Sequence, residues 1–249
     1  MVTFFASANE VNCTRSPDST DELLHCKTTL KSYPRPVHFF IPAKLSDTPQ
    51  IFVHFHGHNL EGYDHFNPLY GNYGQYLLNS HANAIVVVPE SLGKCTTYDT
   101  FFANKDNSAQ FFSELENHLA GKVVALSGHS GAYRVLNRLM GYVNAKAFLQ
   151  DVKALGMFDA AYGATPEINK WVHAHAEDNI LFFMAYVTGD KATTEDGALL
   201  LKKDFKQISE EKVQFVKVSG FDSESLLDQH FMTLKRGGLE AFFFKASSL

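Results

Sequence analysis

The amino-acid sequence predicts an α/β fold, in which an open, mostly parallel twisted sheet is covered by helices on both faces. Segments with strand character and segments with helix character alternate from residue 51 to the end of the chain. The strand segments lack an alternation of polar and apolar residues, as strands covered on both faces should. No repeat, low-complexity tract or linker divides the 249 residues. We therefore predict one domain over residues 1–249, in which residues 1–36 form an N-terminal extension with antiparallel edge strands.

Each strand is predicted from a short run of apolar and β-branched residues that ends at turn residues. Each helix is predicted from apolar residues that recur at intervals of three or four, as Phe111, Leu115 and Leu119 do. The predicted strands cover residues 27–33, 37–41, 51–55, 84–88, 122–127, 153–158, 179–187 and 213–219. The predicted helices cover residues 73–82, 107–120, 132–143, 166–176 and 195–208, and a final helix follows within residues 231–246.

The longest irregular stretch is residues 89–106, whereas the loop from Asp159 to the helix predicted at Pro166 is short. Short connections leave little room for a cap, so we expect an open cleft. The irregular stretch would form a wall of that cleft, with Tyr98, Phe101 and Phe102 as candidate substrate contacts. Alternatively, these three aromatic side chains pack the stretch against the core.

The charge balance argues against nucleic acid and anionic membrane surfaces as partners, since both attract a basic face. The net charge is -5 and the isoelectric point is near 6.2. No apolar run reaches the roughly 18 residues that suggest a transmembrane helix. The sequence therefore predicts no membrane span and no nucleic-acid partner, and no cofactor motif is recognised in it.

Two weak signals favour an exported protein. Residues 2–8 are apolar and end in Ala-Ser-Ala, which resembles the cleavage end of a secretory signal, although the same residues fit a first strand. Cys13 and Cys26 bracket a polar loop and could form a disulfide in an oxidising compartment, which would leave Cys95 free. The alternative is a cytoplasmic protein with three reduced thiols.

The stretch most indicative of chemistry is Gly128-His129-Ser130-Gly131-Ala132, which falls between a predicted strand and a predicted helix. A turn this tight strains the backbone at the serine and leaves room only for small flanking residues. It would hold the Ser130 hydroxyl exposed at the sheet edge, beside helix amides that stabilise a developing oxyanion. Ser130 is therefore the predicted nucleophile.

A serine nucleophile needs a base, and the base needs an orienting acid. His230 follows the last predicted strand and precedes the final helix, so it is the predicted base. His173 and His175 lie at the opposite end of the sheet and are predicted to be surface or packing residues. Two acids follow strands: Asp159 comes directly after its strand, and Asp190 follows a glycine. We favour Asp159, and Asp190 stays open as the alternative.

The segment "HFHGHN" (residues 54–59) supplies the rest of the predicted site. Gly57 permits a sharp turn, and an amide of Gly57 or His58 would join that of Gly131 in binding the oxyanion. Together with His129, these are the predicted oxyanion-binding or substrate-binding residues. The alternative is zinc binding by the His54, His56 and His58 cluster, although the continuation lacks the Asp-His half of the metallo-β-lactamase pattern. His54 is otherwise expected to be a hydrogen-bonded core residue.

From residue 37 to the end, the chain resembles the α/β-hydrolases. The resemblance rests on "FHGHN", on "GHSGA", on an acid after a later strand and on His230. It departs from the family where Ala132 replaces the commoner glycine. The resemblance implies a serine hydrolase that cleaves an ester or amide bond of a small or peptide-like substrate through an acyl-enzyme. A zinc hydrolase and a non-catalytic binding protein on the same scaffold are the alternatives.

Overall fold

The computed structural model describes residues 13–45, 48–57, 72–92, 97–188, 193–219, 226–235 and 238–249. Within these ranges nine strands form one sheet. They are β1 (Thr14–Arg15), β2 (Leu23–Thr29), β3 (Pro36–Pro42), β4 (Gln50–Phe55), β5 (Ala84–Pro89), β6 (Lys122–His129), β7 (Ala154–Phe158), β8 (Leu181–Val187) and β9 (Val213–Val218). The described helices are α1 (Tyr73–Ser80), α2 (Thr97–Phe102), α3 (Lys105–Leu119), α4 (Tyr133–Asn144), α5 (Pro166–Ala174), α6 (Thr193–Asp204), α7 (Leu226–Lys235) and α8 (Gly238–Ala246).

The sheet is mostly parallel, as the sequence predicts. Its strand order is β1-β2-β3-β5-β4-β6-β7-β8-β9. The strands from β5 to β9 in this order run parallel, whereas β1, β2 and β3 pair antiparallel and extend one edge. Because the parallel strands end at one edge of the sheet, the residues that follow β4, β6, β7 and β8 are brought together there.

Two layers of apolar side chains cover the sheet, which explains why its parallel strands lack an alternation of polar and apolar residues. Along β4, the side chains of Ile51 and Val53 pack on one face and that of Phe52 packs on the other. Helices α2 to α6 contribute to the first layer, and helices α1, α7 and α8 contribute to the second. Successive strand residues point to opposite faces, so a strand covered on both faces is mostly apolar on both.

The stretch 89–106, expected to be irregular, contains helix α2. The three aromatic side chains on it are buried: Tyr98 and Phe102 are 0% exposed and Phe101 is 8% exposed. The Phe102 ring packs edge-on against Phe55 and Phe101, and the Tyr98 hydroxyl donates a hydrogen bond to the carbonyl of Pro89. Of the two readings of these residues, core packing is therefore correct, and the interpretation as cleft contacts is wrong.

The C-terminal region forms two helices, α7 and α8, where the sequence predicts a single final helix. A Cβ atom on Gly238 would lie 1.9 Å from the carbonyl oxygen of Thr233. Only glycine therefore allows α8 to start so close to the last turn of α7. An apolar pattern runs through both helices, so the break between them is difficult to recognise from the periodicity.

A disulfide joins Cys13 and Cys26, with their Cα atoms 5.6 Å apart. It links the chain before β1 to strand β2, and β1 pairs with β2. The cysteine spacing thus allows the pair that the structure forms. Residues 2–8, which raise the question of a signal remnant, lie outside the residues that the structure describes. Export therefore stays a prediction.

None of the helices that the structure describes is long and apolar enough to cross a membrane.

Burial lowers the pKa values of four histidines, His25, His38, His118 and His129. The effect brings the pKa of His38 to about 3 and that of His129 well below its usual range. At His25 the desolvation outweighs the nearby Asp18 carboxylate, which acts in the opposite direction. These imidazoles are consequently neutral in the folded protein at pH values where an exposed histidine begins to take up a proton.

We expect the unfolding free energy to fall as the pH is lowered from 7 to 5. Unfolded histidines bind a proton below about pH 6.5. The folded forms have lower pKa values, so in this window the unfolded state holds more protons and is favoured by acid. Urea denaturation at pH 7, 6 and 5, followed by intrinsic fluorescence, measures the change. A midpoint that is constant or rises towards pH 5 contradicts the assignment of these four histidines.

Candidate active site

Ser130 lies at a sharp turn between β6 and α4, as the sequence predicts. The residue has a φ angle of 58°, in the left-handed region that non-glycine residues rarely adopt. Residues Ser130–Ala132 form a single turn of 3-10 helix. A Cβ atom on Gly128 would lie 2.9 Å from Cβ of Ala132 and 3.0 Å from Cδ1 of Leu136. The small residues of this segment therefore permit the strained turn that presents Ser130.

The loop after β4 packs directly against this turn. Strands β4 and β6 are neighbours, and Phe55 pairs with Gly128. A Cβ atom on Gly57 would lie 2.8 Å from Cβ of Ser130 and 2.8 Å from Nδ1 of His129. The backbone of Gly57 is thus close to the serine, where the sequence analysis places an oxyanion-binding amide. His58, the alternative donor, lies outside the described residues.

Asp159 follows β7 at the same edge of the sheet. Strand β7 is next to β6, and Phe158 pairs with His129, so Asp159 and Ser130 each come one residue after a paired position. Asp159 has a φ angle of 44°, and its N–H donates to the carbonyl of Ala185, 2.7 Å away. The chain therefore turns at Asp159 in a fixed position, with the carboxylate buried and only 4% of the residue exposed.

Hydrogen bonds hold both carboxylate oxygens of Asp159. Oδ2 pairs with Nδ1 of His230, and Oδ1 accepts from the Thr194 hydroxyl. The backbone N–H of Val187 also reaches Oδ1, at 3.3 Å. A carboxylate held in this way orients an imidazole and stabilises its charged form. Asp190, the alternative acid, lies outside the described residues.

His230 lies within α7 and does not precede the final helices, so its predicted position is wrong by about one turn. The carbonyl of His230 accepts hydrogen bonds from Nε2–H of His129, at 3.1 Å, and from the hydroxyl of Thr233, at 3.0 Å. The side chain of His230 is 17% exposed, so it is accessible from the cleft. Helix α7 thus carries the imidazole to the sheet edge where Asp159 is found.

The side chain of His129 is buried and packs against His230. Its residue is 1% exposed, and its ring centroid lies 4.2 Å from that of His230. Burial, and then the neighbouring His230, lower the pKa of His129 well below its usual range, so the ring is neutral. The predicted role of His129 in binding the oxyanion or the substrate stays a prediction, although its side chain is buried against His230. The side chain points from the β6 strand end into the interior beneath His230.

Tyr162 is a residue of this site that the sequence analysis does not select. Its hydroxyl lies 3.4 Å from Nδ1 of His230 and interacts with the side chain of Ser130. Burial of the hydroxyl and the nearby Asp159 carboxylate raise its pKa, so the hydroxyl keeps its proton. Ser130 is only 7% exposed, so its hydroxyl is less exposed than the sequence predicts. Tyr162 is one of the residues next to it. No local sequence pattern selects Tyr162, although it follows Asp159 by only three residues.

The histidines near β4 are already engaged in hydrogen bonds. Nδ1–H of His56 donates to the carbonyl of Gly57 at 2.8 Å, and Nε2 accepts from the N–H of Ser91 at 3.2 Å. His54 is buried, as expected, and its Nδ1 lies 2.9 Å from the Ser127 hydroxyl. Both ring nitrogens of His56 would have to give up a partner to bind a metal. Across the described ranges, no group of three or more metal-binding side chains is clustered.

No protein-family model matches the sequence, and no curated protein sequence is similar to it. Solved structures are similar in fold. An S-formylglutathione hydrolase from Agrobacterium tumefaciens aligns over 93% of this chain and 97% of its own, with a TM-score of 0.59 and 10% identity. This chain has the α/β-hydrolase fold. The feruloyl esterase module from Clostridium thermocellum aligns over 94% of both chains, with a TM-score of 0.56 and 14% identity. An esterase from Pyrobaculum calidifontis aligns over 96% of this chain and 87% of its own, with a TM-score of 0.55 and 12% identity.

Proposed function

We propose that this protein is a serine hydrolase that cleaves ester bonds, with Ser130 as nucleophile, His230 as general base and Asp159 as orienting acid. The observation that carries the proposal is the pairing of His230 with a buried carboxylate beside a strained serine turn. These residues come from separate parts of the chain, and a scaffold without catalysis does not require them to meet. The structural neighbours named above include two described as esterases, which supports ester bonds ahead of amide bonds as the substrate class.

In this mechanism, His230 takes the proton of the Ser130 hydroxyl as its oxygen attacks the ester carbonyl. Asp159 holds the imidazole in the required tautomer and stabilises the charged ring. The amide of Gly131, with that of Gly57 or His58, binds the oxyanion of the tetrahedral intermediate. The C–O bond to the alcohol then breaks, and His230 returns the proton to the departing oxygen. Water attacks the acyl-enzyme in the second half-reaction and releases the acid.

A fluorophosphonate probe tests the proposal, because it forms a covalent bond with an activated serine. We expect stoichiometric labelling of the wild-type protein at Ser130, mapped by peptide mass spectrometry, and hydrolysis of p-nitrophenyl acetate. Neither result should change after incubation with a chelator. Loss of hydrolysis on chelation, with stoichiometric zinc by metal analysis, would support the zinc alternative. An unlabelled protein with no hydrolysis of short esters would support a binding protein on this scaffold.

A further inference from the structure

A groove of about 550 Å³ lies beside the candidate active site. It runs between the loop that follows Asp159 and helices α5 and α6. Most of its lining is apolar, and Asn169 and Asp204, which also line it, are hydrogen-bonded to each other at 2.9 Å. The apolar lining residues used below are Ala161, Ala164, Pro166, Leu200 and Leu201. A volume of this size is within the range of small-molecule sites, which is roughly 300–1,000 Å³.

Close packing of glycines fixes the walls of this groove. A Cβ atom on Gly197 would lie 2.2 Å from the carbonyl oxygen of Ala161, so α6 approaches the loop as closely as a backbone allows. A Cβ atom on Gly163 would lie 2.8 Å from the Tyr133 hydroxyl, which seats the loop on α4. The groove is therefore a fixed feature of the fold. Because neither glycine has room for a Cβ atom, the loop after Asp159 is held at a fixed distance from α6 and from α4.

Tyr162 connects the groove to the reaction centre. The residue lines the groove, while its hydroxyl interacts with Ser130 and lies 3.4 Å from Nδ1 of His230. It is 43% exposed, so its ring is accessible from the cleft. Tyr162 therefore lies between the reaction centre and the groove.

The proposed function determines which half of the ester lies on that side. His230 must return its proton to the departing alcohol oxygen, so that oxygen has to be near the imidazole. The proposed oxyanion amides belong to Gly57 and Gly131, and Gly57 lies on the loop after β4. The alcohol half therefore leads towards Tyr162, whereas the carbonyl oxygen faces the β4 loop.

We propose that this groove binds the alcohol portion of the substrate, and that the preferred substrates are esters of apolar alcohols of about one ring or six carbon atoms. This inference rests on the proposed function. Among the lining residues, Leu200 should contribute most to ligand binding. It is 65% exposed, so an apolar ligand in the groove would cover it and remove its surface from water.

Two series of esters test the proposal. One series varies the alcohol of acetate esters from methyl to hexyl, and the other varies the acyl chain of p-nitrophenyl esters from acetyl to octanoyl. For the wild type, we expect kcat/KM in the alcohol series to rise about two- to fourfold per methylene group until the groove is filled. Leu200→Asp should remove most of this rise. In the acyl series it should lower kcat/KM by a similar factor for every ester, because the p-nitrophenyl group is the alcohol part, and leave the dependence on acyl length unchanged.

Leu199→Asp is the matched control, because Leu199 precedes Leu200 on the same helix, is 48% exposed and does not line the groove. It should behave as wild type in both series. Ala164→Trp, on the opposite wall, provides a second variant that fills the groove and should also remove the preference for long alcohols. Thermal denaturation of each variant shows that it is folded.

The outcomes separate this inference from the proposed function. Hydrolysis of short esters without any dependence on alcohol length, or with equal losses in Leu200→Asp and Leu199→Asp, overturns the inference alone. If Leu200→Asp changes the dependence on acyl length and keeps the dependence on alcohol length, the groove belongs to the acid half, which overturns the inference as well. If the wild type hydrolyses no ester and no probe labels Ser130, the proposed function fails and this inference fails with it.

Discussion

Replacement of Ser130 by alanine is expected to lower kcat/KM for ester hydrolysis by roughly 10⁴- to 10⁶-fold. The acyl-enzyme requires an oxygen nucleophile that His230 can deprotonate, and alanine supplies none. The residual rate would come from the oxyanion-binding amides and from substrate binding. Hydrolysis of p-nitrophenyl acetate, measured with fluorophosphonate labelling of the same preparation, gives the result.

The alanine variant should be folded, because alanine and serine have similar difficulty with a φ angle of 58°. Ser127→Ala is a useful control on the same strand. The Ser127 hydroxyl lies 2.9 Å from Nδ1 of the buried His54, so its loss affects stability and not the reaction. Activity that survives in Ser130→Ala, or is lost equally in Ser127→Ala, would show that Ser130 is not the nucleophile.

The order of elements could be predicted well because the sheet is covered on both faces. Each parallel strand must then be a short apolar run, and a run such as residues 84–88 has few other interpretations. Helix α2 could not be predicted in this way. Its residues follow Pro89 in a stretch rich in turn-forming residues, and its aromatic side chains become core residues only through contacts with distant Phe55 and Phe111.

The candidate site was predictable where a local pattern carries the chemistry. The small residues around Ser130 are needed for the turn itself, so they are present in the sequence. Tyr162 and Thr194 lack such a pattern, because their roles depend on the register of β7 and β8 and on the position of α6. The burial of the His129 side chain beneath His230 could not be predicted either. It follows from the packing of α7, and no local spacing in the sequence indicates it.

The choice between Asp159 and Asp190 depends on strand order, which the sequence alone does not provide. Both acids follow apolar strands. In the sheet, β7 lies next to β6, whereas β8 is one strand further away. The direct register of Phe158 with His129 places Asp159 beside the serine turn, and its carboxylate meets His230 there. The geometry of the described residues therefore favours Asp159 as the orienting acid.

Asp159→Asn is accordingly expected to lower kcat by about 10⁴-fold, while Asp190→Asn should have little effect. An amide at position 159 keeps the size of the side chain but presents a donor or a neutral acceptor to Nδ1 of His230. The imidazole then loses its preference for the tautomer that accepts the serine proton, and its charged form is no longer stabilised. Steady-state kinetics of both variants with p-nitrophenyl acetate measure the difference.

The same pair of variants also distinguishes an orienting role from a structural one. Oδ1 of Asp159 accepts hydrogen bonds from Thr194 and Val187, so the asparagine variant keeps an acceptor for them and should remain folded at 25 °C. Thr194→Val removes the hydroxyl donor without changing the charge, and a loss of activity much smaller than that of Asp159→Asn is expected. If Asp190→Asn carries the large loss instead, His230 must change partner during the reaction, and the Asp159–His230 pair would describe a resting arrangement.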